Sequence, residues 1–422
     1  MPLGAIIGAY SSGFLATKIG RRYSFILADI IAIIGCVITI FTGNVPLFLG
    51  RFIGGIAVGI NSAVVPLYIN EISPVSISGV MGSMTQLTCN VGILFSFLLG
   101  LNIPKIMDIE ADPDGQWWWR FMFAFPILTA LLRSLLLLTL FKFETPSYLI
   151  SKGKDEEAKE VIAKFYNDIF TESIYNEYKS RMNTYKDVTF SELFGRRYRS
   201  RMLTGLGLGF IQQCSGVNAV LFYSNKIFKG DQPPELVDPF DDTMAKVFTI
   251  LIGSILIFSS GLSGKFIDNF GRKSLLILGE IFCSVTLALL AALGYLGIPN
   301  ISQYIILIYM FSFGLSLGPI VWVYLPEILP AKGVSLAVLA NWVGCGIIGV
   351  GFPIVEKIIQ IQGTFLIFLG CCIVATIFFF FFIKETKGKT AEEIGEMFGE
   401  ENFILDEEKK LMSGNTSVQT FG

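Results

Sequence analysis

Five neutral amides, Gln86, Gln212, Gln213, Asn218 and Asn341, sit inside otherwise apolar stretches of this chain. Each donates and accepts hydrogen bonds, which suits an uncharged, hydroxyl-bearing substrate. A lone amide more commonly ties helices together across a bilayer, but Gln212, Gln213 and Asn218 fall within two helical turns and favour binding. Trp322 and Trp342 lie in glycine-rich apolar stretches, where an indole can cover the C–H face of a polyhydroxylated ring while amides read its hydroxyls. Helix packing is the alternative, and for Trp342 it stands nearly level.

The charged residues suggest a gate rather than catalysis. Glu71, Glu144 and Glu327 fall at helix ends within reach of Arg21, Arg22, Arg272 and Lys273, so ion pairs between the two halves can close one side of a membrane protein. A charge-assisted hydrogen bond contributes about 1.5–3 kcal/mol, enough to shift a two-state equilibrium roughly ten- to hundredfold. Asp29 and Glu280 each lie nine residues beyond a matched glycine, Gly20 or Gly271. Such acids need partners, and snorkelling into the cytosolic gate is favoured over proton exchange.

The elements that must position these groups are membrane spans. The 422-residue chain is 53% hydrophobic and 16% charged, well below the roughly one quarter charged residues of soluble domains. Eleven apolar stretches, near residues 2–17, 25–42, 46–69, 80–101, 121–143, 202–223, 245–267, 274–296, 302–325, 335–355 and 363–383, approach the ~20 residues that cross a bilayer. Histidine is absent and the seven cysteines lie in apolar stretches, so neither a metal site, a cofactor nor a disulfide framework is expected, and a membrane enzyme is disfavoured. Lys18, Arg21, Arg22, Lys265, Arg272, Lys273, Lys387 and Lys389 fall on one face, which the positive-inside rule assigns to the cytosol. Asp108, Glu110, Asp112 and Asp114 lie opposite, before a Trp117-Trp118-Trp119 belt suited to the outer interface.

The chain is written twice. Tyr68-Ile69-Asn70-Glu71-Ile72-Ser73-Pro74 recurs as Tyr324-Leu325-Pro326-Glu327-Ile328-Leu329-Pro330, and Gly20-Arg21-Arg22 recurs as Gly271-Arg272-Lys273. Parallel repeats of this kind build many transporters. The basic turn follows the second apolar stretch of the second half but the first stretch of the first half, so one span is expected to be missing at the N-terminus, with truncation the favoured reason.

The chain resembles the sugar porter branch of the major facilitator superfamily. The resemblance runs almost end to end, through Gln212-Gln213-Cys214-Ser215-Gly216-Val217-Asn218 with Phe222-Tyr223, Pro66-Leu67-Tyr68 with Glu71, Gly318-Pro319-Ile320 with Trp322, Asn341-Trp342, and Glu385-Thr386-Lys387-Gly388-Lys389-Thr390. It implies an all-α polytopic membrane protein of the major facilitator fold, with two pseudo-symmetric halves, eleven visible spans and the first of twelve missing. It also implies Trp322 at a sugar, Tyr223 in the gate and Arg51 as a possible proton-coupling residue, whose usual acidic partner lies on the missing span. Departures accompany it. Thr17 replaces an acid that the second copy keeps as Asp268. Ser78 and Ser147 stand where cytosolic arginines are usual, which should weaken closure of the cytosolic side, and the loop after Glu327 is short, leaving Lys332 as its nearest cation. Leu256 and Cys345 stand where asparagines often meet the sugar.

The expected organisation is a transmembrane half at 1–143, a cytosolic linker of short amphipathic helices at 144–200 carried by Val161, Ile162, Phe165 and Ile169, a second half at 201–390, and a disordered tail at 391–422. The expected function is alternating-access transport of a hexose-type monosaccharide, facilitative or proton-coupled. A polyol such as inositol, or a transport-inactive sugar sensor, are the alternatives. Expected partners are the sugar, the lipid bilayer and protons if transport is coupled, with no nucleic acid and a monomeric unit. The plasma membrane is the favoured location, with an internal membrane second.

Overall fold

A computed structural model describes residues 1–101, 117–185, 188–229, 239–298 and 301–399. No strand occurs among the described residues. Every apolar stretch read from the sequence is helical. The first repeat contains Pro2–Lys18, Arg21–Thr39, Asn44–Ile72, Ser78–Gly100 and Trp118–Thr139. The second contains Arg199–Cys214 continued by Val217–Lys229, then Pro239–Phe270, Arg272–Leu296, Ser302–Leu315 continued by Leu317–Ile328, and Ala331–Phe382.

Among the described residues, eight helices are long and apolar enough to cross a membrane. Eleven stretches become eight helices for physical reasons. Pro2–Lys18 and Arg199–Cys214 are only 17 and 16 residues long, the latter being broken at Ser215-Gly216, where Gly216 takes φ 90°. Ala331–Phe382 carries two of the expected stretches on either side of Gln360, whose φ of 62° and ψ of 173° interrupt the helix. Outward-facing leucines such as Leu128, Leu131, Leu135 and Leu138 are exposed, as lipid-facing positions should be when the solvent is hydrocarbon. The acidic loop residues Asp108, Glu110, Asp112 and Asp114 lie outside the described residues. Trp117 is exposed, while the Trp118 indole donates to the Leu99 carbonyl at 2.9 Å, pinning the aromatic belt to the neighbouring helix.

The repeat seen in the sequence is also a repeat of hydrogen bonds. Gly20 and Gly271 precede matched helices with φ of 92° and 84°, a left-handed conformation that a side chain disfavours. The Glu144 carboxylate accepts from the backbone amides of Arg21 and Arg22, both at 3.0 Å. Glu385 does the same for Arg272 and Lys273, both at 3.0 Å. A carboxylate on the free amides of a helix N-terminus meets both an unsatisfied donor pair and the positive end of the helix dipole.

Asp29 and Glu280 do not reach the gate. Asp29 is buried and held by Arg133 at 2.5 Å and Ser134 at 2.8 Å, with Asn61 taking another guanidinium nitrogen at 3.0 Å. Glu280 is fully buried, and no ion pair reaches it among the described residues. Asp29→Ala should therefore lower the melting temperature of the purified protein. The loss is expected to be on the order of 2–3 kcal/mol, at or below the ~3–5 kcal/mol for breaking a fully buried pair, because Arg133 keeps 34% of its side chain exposed. An unchanged melting temperature would remove Asp29 from the structural framework.

The linker folds as Pro146–Ser151, Asp155–Phe165 and Thr171–Tyr185. Val161 and Ile162 are buried as expected from their spacing, with Ile162 packed on Tyr175 and Tyr178. Phe165 and Ile169 are exposed, because the helix ends at Phe165 and the inward stripe stops with it. Nor does disorder begin at Ala391: Ala391–Met397 is helical, started by a capping box between Thr390 and Glu393. Residues 400–422 lie outside the described residues.

Candidate substrate site and cytosolic gate

The amides of the second repeat form one network. Asn341 donates to the Gln212 side chain at 2.6 Å and to the Gly209 carbonyl at 2.8 Å. Gln213 donates to Asn341 at 3.1 Å, and Asn218 donates to Gln213. Gln212 in turn donates to the Gly318 carbonyl at 3.1 Å, tying this helix to the break in front of Trp322. Gln212 and Asn341 are 3% exposed and bonded to backbone, so they brace the helices. Gln213 and the half-buried Asn218 bond only side chains in the network, leaving them the freer pair to exchange partners with a hydroxyl.

The remaining candidates cross between repeats. Trp322 donates its indole N–H to Gln86 at 2.8 Å, and Trp342 donates to Ser62 at 3.3 Å. Gln86 also donates to Asn90 at 2.9 Å, and the fully buried Asn90 reaches across to Ser260 at 2.7 Å and the Leu256 carbonyl at 3.1 Å. Leu256 therefore contributes its backbone where its side chain cannot. Asn90 and Ser62 were missed in the sequence reading, although Asn90 lies four residues after Gln86 and so on the same helix face. Tyr223 donates to the Gly349 carbonyl at 2.9 Å and stacks on Phe352 at 4.9 Å. Arg51 joins neither group: its guanidinium lies 5.3 Å from the Phe123 ring, and no carboxylate pairs with it among the described residues.

These contacts separate site from belt. Trp322→Ala should raise the apparent Km for uptake at least about fivefold, the loss of one stacked and hydrogen-bonded indole. Trp118→Ala should leave it within about twofold at matched expression. Equal effects would count against a role for Trp322 at the substrate.

At the end that carries the two basic turns, the residues expected to form a gate are paired, but not as expected. Arg21 pairs with Glu71 at 2.5 Å within the first repeat, and Arg272 pairs with Glu327 at 2.7 Å within the second. Arg22 holds the carbonyls of Leu137 and Lys142 at 3.0 and 3.1 Å, and Lys273 holds that of Phe380 at 2.7 Å. Glu144 caps a helix of its own repeat, and burial pushes its carboxyl up against the opposing pull of the Arg22 and Arg21 amides. These ion pairs brace each repeat instead of bridging the two.

The bridge is made elsewhere. Asp268 accepts from the backbone amides of Gly79 and Val80 at 3.0 and 3.2 Å, sitting on the N-terminus of Ser78–Gly100. A Cβ on Gly79 would collide with that carboxylate. Arg272 adds a hydrogen bond to the Ser78 hydroxyl at 2.7 Å. Ser78 thus serves as the acceptor for the opposite repeat's arginine, while Ser147 is 2% exposed and offers no room for a cation. The linker braces the same end: Tyr178 donates to the Glu71 carbonyl at 2.5 Å and Lys332 donates to the Val188 carbonyl at 2.9 Å.

Residues 1–398 match the family described as "Sugar (and other) transporter". The chain belongs to that family. The transporter is 33% identical to Hexose transporter 1 of Plasmodium knowlesi, over 99% of this chain and 84% of that one. It is 32% identical to the glucose transporter GlcP of Staphylococcus epidermidis, over 93% of this chain and 86% of that one. Its structure matches the proton:xylose symporter XylE bound to 6-bromo-6-deoxy-D-glucose with a TM-score of 0.81, at 29% identity, covering 94% and 87% of the two chains. The inward-open form of XylE from E. coli matches with a TM-score of 0.70, at 27% identity and the same coverage. The transporter is a multi-pass integral membrane protein of the major facilitator fold.

Proposed function

We propose that the protein carries a hexose-type monosaccharide across the membrane by alternating access, with Gln213, Asn218, Trp322 and Gln86 contacting the sugar and Gln212, Asn341 and Trp342 supporting them. The observation that carries this reading is the Trp322–Gln86 hydrogen bond, because it joins the two repeats on the helix whose Gly318 carbonyl accepts from Gln212 of the amide network. A sugar hydroxyl exchanges one amide hydrogen bond for another, so the net gain per contact is modest, about 0.5–1.5 kcal/mol. Binding of that strength allows release on the far side.

In this reading residues 1–143 and 201–390 rock against each other, with 144–200 as the strap between them and Tyr223 closing the outer side. The unit is a monomer that needs no enzymatic step, placed in the plasma membrane. The relatives named above support a hexose rather than a polyol. Ligand-dependent melting of the purified protein tests the choice: D-glucose should raise the melting temperature at lower concentration than myo-inositol, and the reverse order would transfer the assignment to a polyol.

A further inference from the structure

A hollow of about 740 Å³ lies on the cytosolic rim of the first repeat, away from the sugar path. Its walls are the ends of Arg21–Thr39 and Trp118–Thr139 and the overhanging linker helices Pro146–Ser151 and Asp155–Phe165. Five cations line it: Arg22, Lys142, Lys152, Lys154 and Lys164. The facing carboxylates neutralise only part of that charge. Glu144 is engaged by the amides of Arg21 and Arg22, and Glu157 holds Lys154 at 2.8 Å. Glu160 also lines the hollow, but Lys142, Lys152 and Lys164 carry no ion pair among the described residues.

Two of these ammonium groups are held over aromatic rings, Lys152 at 5.4 Å from Tyr148 and Lys164 at 5.1 Å from Phe143. Five cations against three carboxylates leave the hollow with an excess of positive charge, which a bound anion would offset. The positive-inside bias accounts for lysines near the membrane, not for their convergence on one hollow. The rim is apolar: Leu140 is 69% and Tyr23 52% exposed, and Leu138 and Phe141 beside them are exposed as well. A polar, cationic interior with an apolar lip at the bilayer edge matches a lipid whose phosphate enters while its acyl chains run along the outer helices.

We propose that this hollow binds a phosphate monoester, supplied by an anionic membrane lipid such as phosphatidic acid. The chemistry is shared by soluble phosphate esters, and the apolar lip favours the lipid. Native mass spectrometry of the full-length protein, with phosphatidic acid or phosphatidylcholine added in detergent, tests it. The wild type should retain phosphatidic acid over phosphatidylcholine, and Lys142→Ala, Lys152→Ala and Lys164→Ala together should erase the preference, at about fivefold per lysine. Lys152→Gln alone, at an exposed position that does not challenge folding, should lower it about fivefold. Lys387→Ala with Lys389→Ala, on the same face but outside the hollow, should not change it. If glycerol 3-phosphate displaces the bound lipid completely, the phosphate site stands and its source is a soluble ester. Undiminished retention by the triple variant and by Lys152→Gln, or an equal loss in the Lys387/Lys389 control, would overturn the proposal.

Discussion

Hexose uptake into proteoliposomes should fall at least about tenfold when Gln213 is replaced by alanine, and by a similar factor for Asn218→Ala. Gln213 accepts from Asn218 and donates to Asn341 at 3.1 Å, so removing it deletes the proposed sugar contact and leaves two amides short of partners. An unsatisfied buried polar group costs about 1–3 kcal/mol. That cost lowers stability without dismantling the fold, because Gln212 and Asn341 keep their bonds to the Gly318 and Gly209 carbonyls. The melting temperature should accordingly fall by a few degrees while the protein still folds and inserts. Wild-type uptake in both variants would remove these amides from the substrate path. Collapse of folding in both would make them helix braces, the role assigned to Gln212 and Asn341.

Asp268→Ala should open the cytosolic side. The carboxylate accepts from the Gly79 and Val80 amides at a helix N-terminus across the repeat boundary, and rocking the two repeats apart at this end would break these bonds. Contacts restricted to one state are what shift a conformational equilibrium. Two charge-assisted bonds at about 1.5–3 kcal/mol each must be discounted, because Asp268 keeps 23% of its side chain exposed and water replaces part of what is lost. A net shift of about 1.5–3 kcal/mol, or roughly ten- to hundredfold in the open-to-closed ratio, is expected. A cysteine at Ser83, fully buried near Gly264 of the opposite repeat, reports it by its rate of maleimide labelling from the cytosolic side. Labelling should accelerate in Asp268→Ala and much less in Asp268→Asn, which keeps an acceptor oxygen. Equal rates in wild type and Asp268→Ala would show that this bridge does not hold the gate.

The fold was legible because lipid leaves a strong record in sequence: long apolar runs, cations on one face, and a repeat of both. The breaks were less so. Apolarity runs unbroken through Ser316, where only backbone geometry shows the helix interrupted, whereas Glu356, Lys357, Gln360 and Gln362 already divide two apolar stretches in the sequence. The sequence brought Arg21, Glu71, Arg272 and Glu327 forward as charged helix ends but did not show that they pair within a repeat, since separation along the chain does not reveal which helix ends meet. One signal was available. Glu144-Thr145 and Glu385-Thr386 repeat as the basic turns do, and both glutamates cap the matched helices. Arg133, a cation in the middle of an apolar run, likewise pointed to the partner that Asp29 required. In the site, the amide cluster was visible from residue type alone. Ser62 and Asn90 were not, because their importance lies in what faces them from the other repeat.

Counterflow of radiolabelled D-glucose in proteoliposomes of the purified protein tests the central claim most directly. Vesicles loaded with unlabelled D-glucose should transiently accumulate the label, with saturation and with no effect of L-glucose loading. The same vesicles carrying Gln213→Ala should lose the accumulation. Label uptake no greater than in protein-free vesicles, by protein that is folded and inserted, would contradict the account.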